Sequence, residues 1–105
     1  MKEKDNYIVN RIKEVIRTID PTAQVILFGS RARGDAKQDS DWDVLILIDT
    51  PVTIEIERSF RFKLFDLEIE TGETFSTFVY NKKVWNTKHK ITPFYRSVTK
   101  EGVYL

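Results

Sequence analysis

Residues 28–43 read FGSRARGDAKQDSDWD and combine glycine, serine, arginine and aspartate, the residue types that hold phosphates and metal ions. Gly29 directly follows a short apolar run, and a residue without a Cβ lets backbone amides approach a ligand closely. Ser30 adds a hydroxyl donor, and Arg31 and Arg33 add charge-assisted donors. These four residues are candidates for binding phosphate. The simpler alternative for a Gly-Ser pair alone is a turn that ends a strand.

Asp41 and Asp43 lie two residues apart at the start of a second apolar run. In an extended strand this spacing places both carboxylates on one face and Trp42 on the other. Neighbouring carboxylates repel each other unless a positive group lies between them, and Mg²⁺ is the hard cation that carboxylates and phosphate oxygens bind together. The pair therefore predicts a magnesium site. The alternative is an Asx turn over residues 39–41 that leads into the strand.

Ten residues separate Ser30 from Asp41, which is long enough for two adjacent strands to present their ends side by side. The candidate phosphate donors would then face the candidate metal ligands. This arrangement suits the transfer of a phosphorus-containing group, because one part holds the phosphates and the other holds the metal that neutralises them. We therefore expect Asp41 and Asp43 to be the catalytic residues.

The elements that must position these residues are visible in the hydrophobic periodicity. Apolar or β-branched runs predict strands over Gln24–Phe28, Asp43–Ile48 and Thr74–Tyr80. Helical spacing predicts helices over residues 6–19 and 54–68. Asn81 can cap a short helix over residues 82–86, and Pro93 and Gly102 bound a last helix over residues 94–101. Residues 31–40 read as a loop or a short helix. The order α-β-loop-β-α-β-α-α predicts a small α/β (α+β) domain in which helices pack on a mixed sheet.

Composition narrows the class of protein. The 105 residues suit a single domain over 1–105, and 17 basic against 16 acidic residues leave a net charge of +1. With no basic stripe we expect no direct nucleic-acid partner and no membrane partner. The chain has no cysteine and one histidine, His89, which excludes thiolate and histidine-rich metal sites. Without an apolar signal core or a run of about 18 apolar residues, we expect a cytoplasmic protein.

The motif residues resemble those of a known family. Gly29-Ser30, ten residues and then Asp41-Trp42-Asp43 match the pattern G-S-x10-D-x-D of the DNA polymerase β-like nucleotidyltransferases. The string VILFGSRARGDAKQDSDWDVLILID and the tail TPFYRSVTKEGVYL are similar to its minimal nucleotidyltransferase group. The resemblance implies the nucleotidyltransferase fold. It also implies transfer of a nucleoside monophosphate from a nucleoside triphosphate, here expected to be ATP, to an acceptor hydroxyl with release of pyrophosphate.

The resemblance also implies roles and partners. Gly29 and Ser30 would contact the triphosphate, while Asp41 and Asp43 would bind Mg²⁺. Stand-alone members are often paired with a helical HEPN protein in toxin–antitoxin systems, and some adenylylate that partner on a tyrosine. A HEPN-type partner is therefore expected here.

A third carboxylate is implied by the resemblance in the middle of the third strand, where this chain has Ser76. Glu73, at the start of that strand, is the candidate third metal ligand. In a regular strand, however, its odd number places it on the face opposite Ser76. In the family this carboxylate commonly activates the acceptor hydroxyl and supports a second metal, so its loss would spare nucleotide binding more than turnover.

Three functions follow from these residues. The first is an active nucleotidyltransferase. The second is a catalytically weak or inactive antitoxin that works by binding a HEPN partner, which Ser76 favours. The third is a nucleotide-binding module of a larger transferase. Since 105 residues leave no room for an acceptor-binding helical domain, we expect a partner protein to supply the acceptor or a wall of the cleft. The sequence leaves open the acceptor, the base preference and self-association.

Overall fold

The computed structural model describes residues 3–105 and shows a mixed sheet between two layers of helices. The elements, in chain order, are α1 (Glu3–Ile19), β1 (Gln24–Phe28), α2 (Gly29–Arg33), β2 (Trp42–Ile48), α3 (Ile54–Thr71), β3 (Phe75–Asn81), α4 (Lys82–Thr87), a 3-10 turn (Lys88–Ile91), α5 (Pro93–Glu101) and β4 (Val103–Tyr104). The predicted α+β class with helices on a mixed sheet is confirmed.

The sheet order is β3-β2-β1-β4, with β2 parallel to β3 and antiparallel to β1. Asp43 at the start of β2 lies opposite Phe28 at the end of β1 and opposite Ser76 near the start of β3. The register therefore brings three chain segments that are distant in sequence to one end of the sheet.

Strand β2 is buried on both faces, which explains its continuous apolar sequence. Its even-numbered residues, from Trp42 to Ile48, pack against α1 and α3. Leu45 and Leu47 pack on the other face against α4 and α5, through Trp85 and Val98. At the start of β2, odd-numbered side chains therefore face the α4–α5 layer and even-numbered side chains face the α1–α3 layer.

Side-chain caps and one glycine define where the later elements begin. The Asn81 side chain accepts a hydrogen bond from the Val84 amide and starts α4, as predicted, and Thr92 caps α5 in the same way through the Tyr95 amide. A Cβ at Gly102 would lie 2.8 Å from the Ile26 side chain. Only glycine therefore lets the chain pass so close to β1 on its way from α5 into β4.

The sequence predicts neither the 3-10 turn nor β4, and it gives residues 31–40, which overlap α2, as either a loop or a short helix. Helix α2 occupies Gly29–Arg33, the 3-10 turn occupies Lys88–Ile91, and β4 pairs antiparallel with β1 through Val103 and Tyr104. These pieces span two to five residues, too short for a hydrophobic period to show. Within residues 3–105, no helix is both long and apolar enough to cross a membrane.

Candidate active site

Asp41 and Asp43 lie on the same face at the start of β2. The Ser76 hydroxyl donates to the Oδ2 of Asp41 at 3.5 Å, and Ser76 is the residue opposite Asp43 in the parallel register. Trp42 points to the other face and is 1% exposed in the α1–α3 core. The two-residue spacing thus has the geometry that the sequence predicts, with both carboxylates away from the tryptophan.

The pair is electrostatically unfavourable as it stands. Partial burial raises the pKa of Asp43, the charge of Asp41 raises it further, and Arg33 offsets part of the increase. A cation between the two carboxylates would remove this repulsion. Two carboxylates and a neighbouring hydroxyl form an all-oxygen donor set, which fits a hard ion such as Mg²⁺. Among residues 3–105, no third aspartate, glutamate or histidine joins the pair.

Gly29 is in contact with this pair. It has φ +73°, in the left-handed region that favours glycine, and a Cβ there would fall on the Oδ2 of Asp43. The contact follows from the register, because Phe28 lies opposite Asp43 and Gly29 is the next residue. Ser30 follows in the first turn of α2. The structure therefore brings Gly29 to the carboxylate pair, and Ser30 is the next residue in the chain.

Arg31 lies on the opposite side of β2 from the carboxylates. Its guanidinium stacks on the Trp42 ring at 4.8 Å from the centroid and donates to the main-chain oxygen of Ser40 at 3.0 Å. The side chain is only 10% exposed and also pairs with Glu73 at 3.8 Å. The structure does not bring Arg31 to the aspartates, and its contacts instead position the loop that leads into Asp41.

Arg33 is the arginine on the carboxylate side. It pairs with Asp35 at 3.1 Å and with Glu101 at 3.3 Å, and its side chain is 44% exposed. Its positive charge also lowers the pKa of Asp43, against the larger effects that raise it. Of the two arginines that the sequence offered as phosphate ligands, only Arg33 has access to the site.

Glu73 is not brought to the aspartates. Its side chain is 10% exposed and pairs with Lys4 at 3.4 Å as well as with Arg31. The regular pairing of β3 with β2 starts at Phe75. Side chains therefore alternate between the two faces, and Glu73 lies on the face opposite Ser76, as its odd number predicts. As a metal ligand Glu73 is therefore not supported by its position, and Ser76 occupies the place beside Asp43.

The sequence reading missed an aromatic cluster beside this site. Phe28, Phe78 and Phe94 come from β1, β3 and α5, and their ring centroids lie 5.4–5.6 Å apart. The signal was available in the even numbering of Phe78, which places it on the face of Ser76. His89 packs on Tyr80, and Tyr95 packs on Trp85, in the α4–α5 layer.

Comparisons with known proteins agree with this geometry. A family model described as a nucleotidyltransferase domain matches residues 9–105. The chain is similar to two proteins of Methanocaldococcus jannaschii, both provisionally named protein adenylyltransferases. It is 48% identical to MJ0141 over 50 residues, which is 46% of this chain and 50% of that protein. It is 33% identical to MJ0604 over 79 residues, or 75% and 73% of the two chains.

A solved structure described as a toxin–antitoxin with AMP-PNP has a similar fold. The TM-score is 0.66 at 18% sequence identity, over 90% of this chain and 69% of that one. At this identity the similarity concerns the fold.

The Gly29–Asp43 contact yields a stability prediction. We expect Gly29→Ala to cost more than the about 1–2 kcal/mol of a left-handed alanine, because the new methyl group must displace the Asp43 carboxylate. Gly72→Ala is the matched control, since Gly72 has φ +76° with nothing within 4 Å of a Cβ. Urea unfolding measures both, and in the background of Asp43→Ala the two costs should become equal. Equal costs in the wild-type background would contradict the contact.

The raised pKa of Asp43 yields a prediction on pH. Above the raised value the ionised carboxylate destabilises the metal-free fold, and this penalty disappears as the pH falls through the raised pKa to the ordinary one. Asp43→Asn should therefore stabilise the metal-free protein at pH 7 and be neutral below the ordinary pKa of aspartate. Unfolding by urea in EDTA at both pH values tests this. A stabilisation that is independent of pH would contradict it.

Proposed function

This chain belongs to the nucleotidyltransferase domain family, and we propose that it transfers AMP from ATP to a hydroxyl of a partner protein with the help of Mg²⁺. The observation that carries the proposal is the contact of Gly29, the residue before Ser30, with Asp43 at the end of the sheet where Asp41 also lies. The names of the two relatives support the choice of AMP and of a protein acceptor. Because the chain spans half the length of MJ0141, that protein's whole activity is carried over only as a proposal.

In the proposed reaction Gly29 and Ser30 would hold the β- and γ-phosphates, and Asp41 and Asp43 would be the residues that hold Mg²⁺. Bound Mg²⁺ would neutralise charge on the phosphate oxygens. The acceptor oxygen attacks the α-phosphorus, the bond to the oxygen bridging to the β-phosphate breaks, and pyrophosphate leaves. The acceptor proton passes to solvent. Most of the catalysis is then positioning and charge neutralisation, which this chain's residues can supply without a base.

The presence of Ser76 in place of a carboxylate determines how fast we expect AMP transfer to be. Ser76 stands opposite Asp43, where a carboxylate could have taken the acceptor proton, and a serine hydroxyl is too weak a base for that role. General-base assistance is worth about 10²–10⁴-fold, so we expect slow turnover with nucleotide binding retained. The same observation favours a second candidate function, a binding-only antitoxin that uses this fold without catalysis.

An exposed apolar stripe supports a partner protein in either case. The side of α3 that faces away from the sheet carries Ile54, Phe62, Phe65 and Ile69, which are 57–71% exposed. The opposite side of the helix is buried in the core through Phe60, Leu64 and Leu67. A large apolar surface on a helix is typical of a protein interface. We propose a HEPN-type helical protein as the occupant, in keeping with the toxin–antitoxin of similar fold.

Nucleotide binding is the first test of the proposed function. We expect calorimetric titration with AMP-PNP to show Mg²⁺-dependent binding to the wild type, and no such binding to Asp41→Asn/Asp43→Asn, because the metal loses both carboxylates. Asp49→Asn is the matched control, since Asp49 follows the opposite end of β2 and is an exposed carboxylate paired with Lys82. Failure of the wild type to bind would overturn the proposal.

Protection of cells that express a HEPN toxin separates the two candidate functions. If the chain acts by transfer, Asp43→Asn should abolish protection although the partner still binds. Replacing Phe62 and Phe65 with serine should abolish both binding and protection, because the apolar stripe is lost. Protection that survives Asp43→Asn would favour the binding-only antitoxin. Binding that survives the serine substitutions would exclude α3 as the interface.

A further inference from the structure

Three phenylalanine rings form a cluster at the end of the sheet that carries the carboxylates. The ring of Phe78 lies 5.6 Å from Phe28 and 5.6 Å from Phe94, at interplanar angles of 54° and 53°. Phe28 and Phe94 lie 5.4 Å apart in an edge contact. Three different elements, β1, β3 and α5, thus hold the cluster in place, and neither neighbour lies parallel to the ring of Phe78.

The cluster is adjacent to the candidate active site. Phe28 lies opposite Asp43, and Phe78 follows Ser76 by two residues on the same face of β3, a separation of about 6.6 Å along the strand. A ligand whose phosphates contact Gly29 and whose metal contacts Asp43 would therefore have the ring of Phe78 within reach.

The ring of Phe78 is exposed, although the strand residue beside it on β2 is buried. It is 36% exposed, whereas Leu45, its partner in the register, is fully buried. An exposed aromatic ring held by two others offers a rigid apolar surface at low entropic cost. Planar π-systems such as nucleobases stack on surfaces of this kind.

We propose that Phe78 is the stacking platform for the base of the bound nucleotide, with Phe28 and Phe94 fixing its ring. This inference rests on the proposed nucleotide binding. Because every base has a π-face, the platform recognises the presence of a base, and the larger purines stack best. In this proposal the chain binds the base as well as the phosphates. Gly29-Ser30 and the carboxylates serve the phosphates and the metal, and Phe78 serves the base.

The test compares a ligand that has a base with one that lacks it. Calorimetric titration with Mg²⁺ uses AMP-PNP and inorganic tripolyphosphate on the wild type, Phe78→Leu and Phe78→Trp. We expect Phe78→Leu to weaken AMP-PNP binding about 5- to 100-fold and to leave tripolyphosphate binding unchanged, because leucine keeps the apolar packing and loses the π-face. Phe78→Trp should keep the affinity for AMP-PNP.

The control is Phe62→Leu, a change to a phenylalanine that is 66% exposed on α3, against the other face of the sheet. It should change neither affinity. Unchanged AMP-PNP binding by Phe78→Leu would overturn the platform. Equal loss of both ligands in Phe78→Leu would also overturn it, because the variant would then act on the phosphate site. If wild-type protein binds neither ligand, the proposed function itself fails.

Discussion

The repulsion between the Asp41 and Asp43 carboxylates is the constraint on which this end of the molecule depends. The strand register places both on one face, and partial burial together with the charge of Asp41 raises the pKa of Asp43. The surrounding residues keep the pair together instead of relieving it. The Asp43 carboxylate occupies the space that the missing Cβ of Gly29 leaves free, and Ser76 donates to Asp41 from β3. A cation between the two carboxylates would relieve this repulsion.

The residues around the pair divide their work according to the face of the sheet on which they lie. On the far side, Arg31 stacks on Trp42, holds the Ser40 carbonyl and pairs with Glu73, so these charged groups set the path of the loop that ends at Asp41. On the face that carries the carboxylates, Arg33 remains partly exposed, and its charge lowers the pKa of Asp43. Arg31 and Arg33 are two residues apart in the chain, yet only Arg33 lies on the side of the sheet that carries the carboxylates.

The same face carries the polar and the apolar halves of the candidate site. The carboxylates, Gly29 and Ser76 suit phosphate and metal, and the phenylalanine cluster begins one residue pair further along β2 and β3. A nucleotide has a similar arrangement, with charged phosphates at one end and a flat aromatic base at the other. The apolar stripe of α3 lies on the opposite layer, so binding of a partner there would leave the candidate site accessible.

The sequence by itself determined the class of fold, the first two strands and the face shared by Asp41 and Asp43. These are local properties: a continuous apolar run marks β2, and a two-residue spacing assigns side chains to a face. The sequence parity also indicated that Glu73 and Ser76 point in opposite directions. Only the tertiary structure decided which arginine accompanies the carboxylates, that Glu73 belongs to an ion-pair cluster with Lys4 and Arg31, and that Phe28, Phe78 and Phe94 meet. Those outcomes depend on strand order, register and helix packing, which join residues up to dozens of positions apart and leave no periodic signal in the chain.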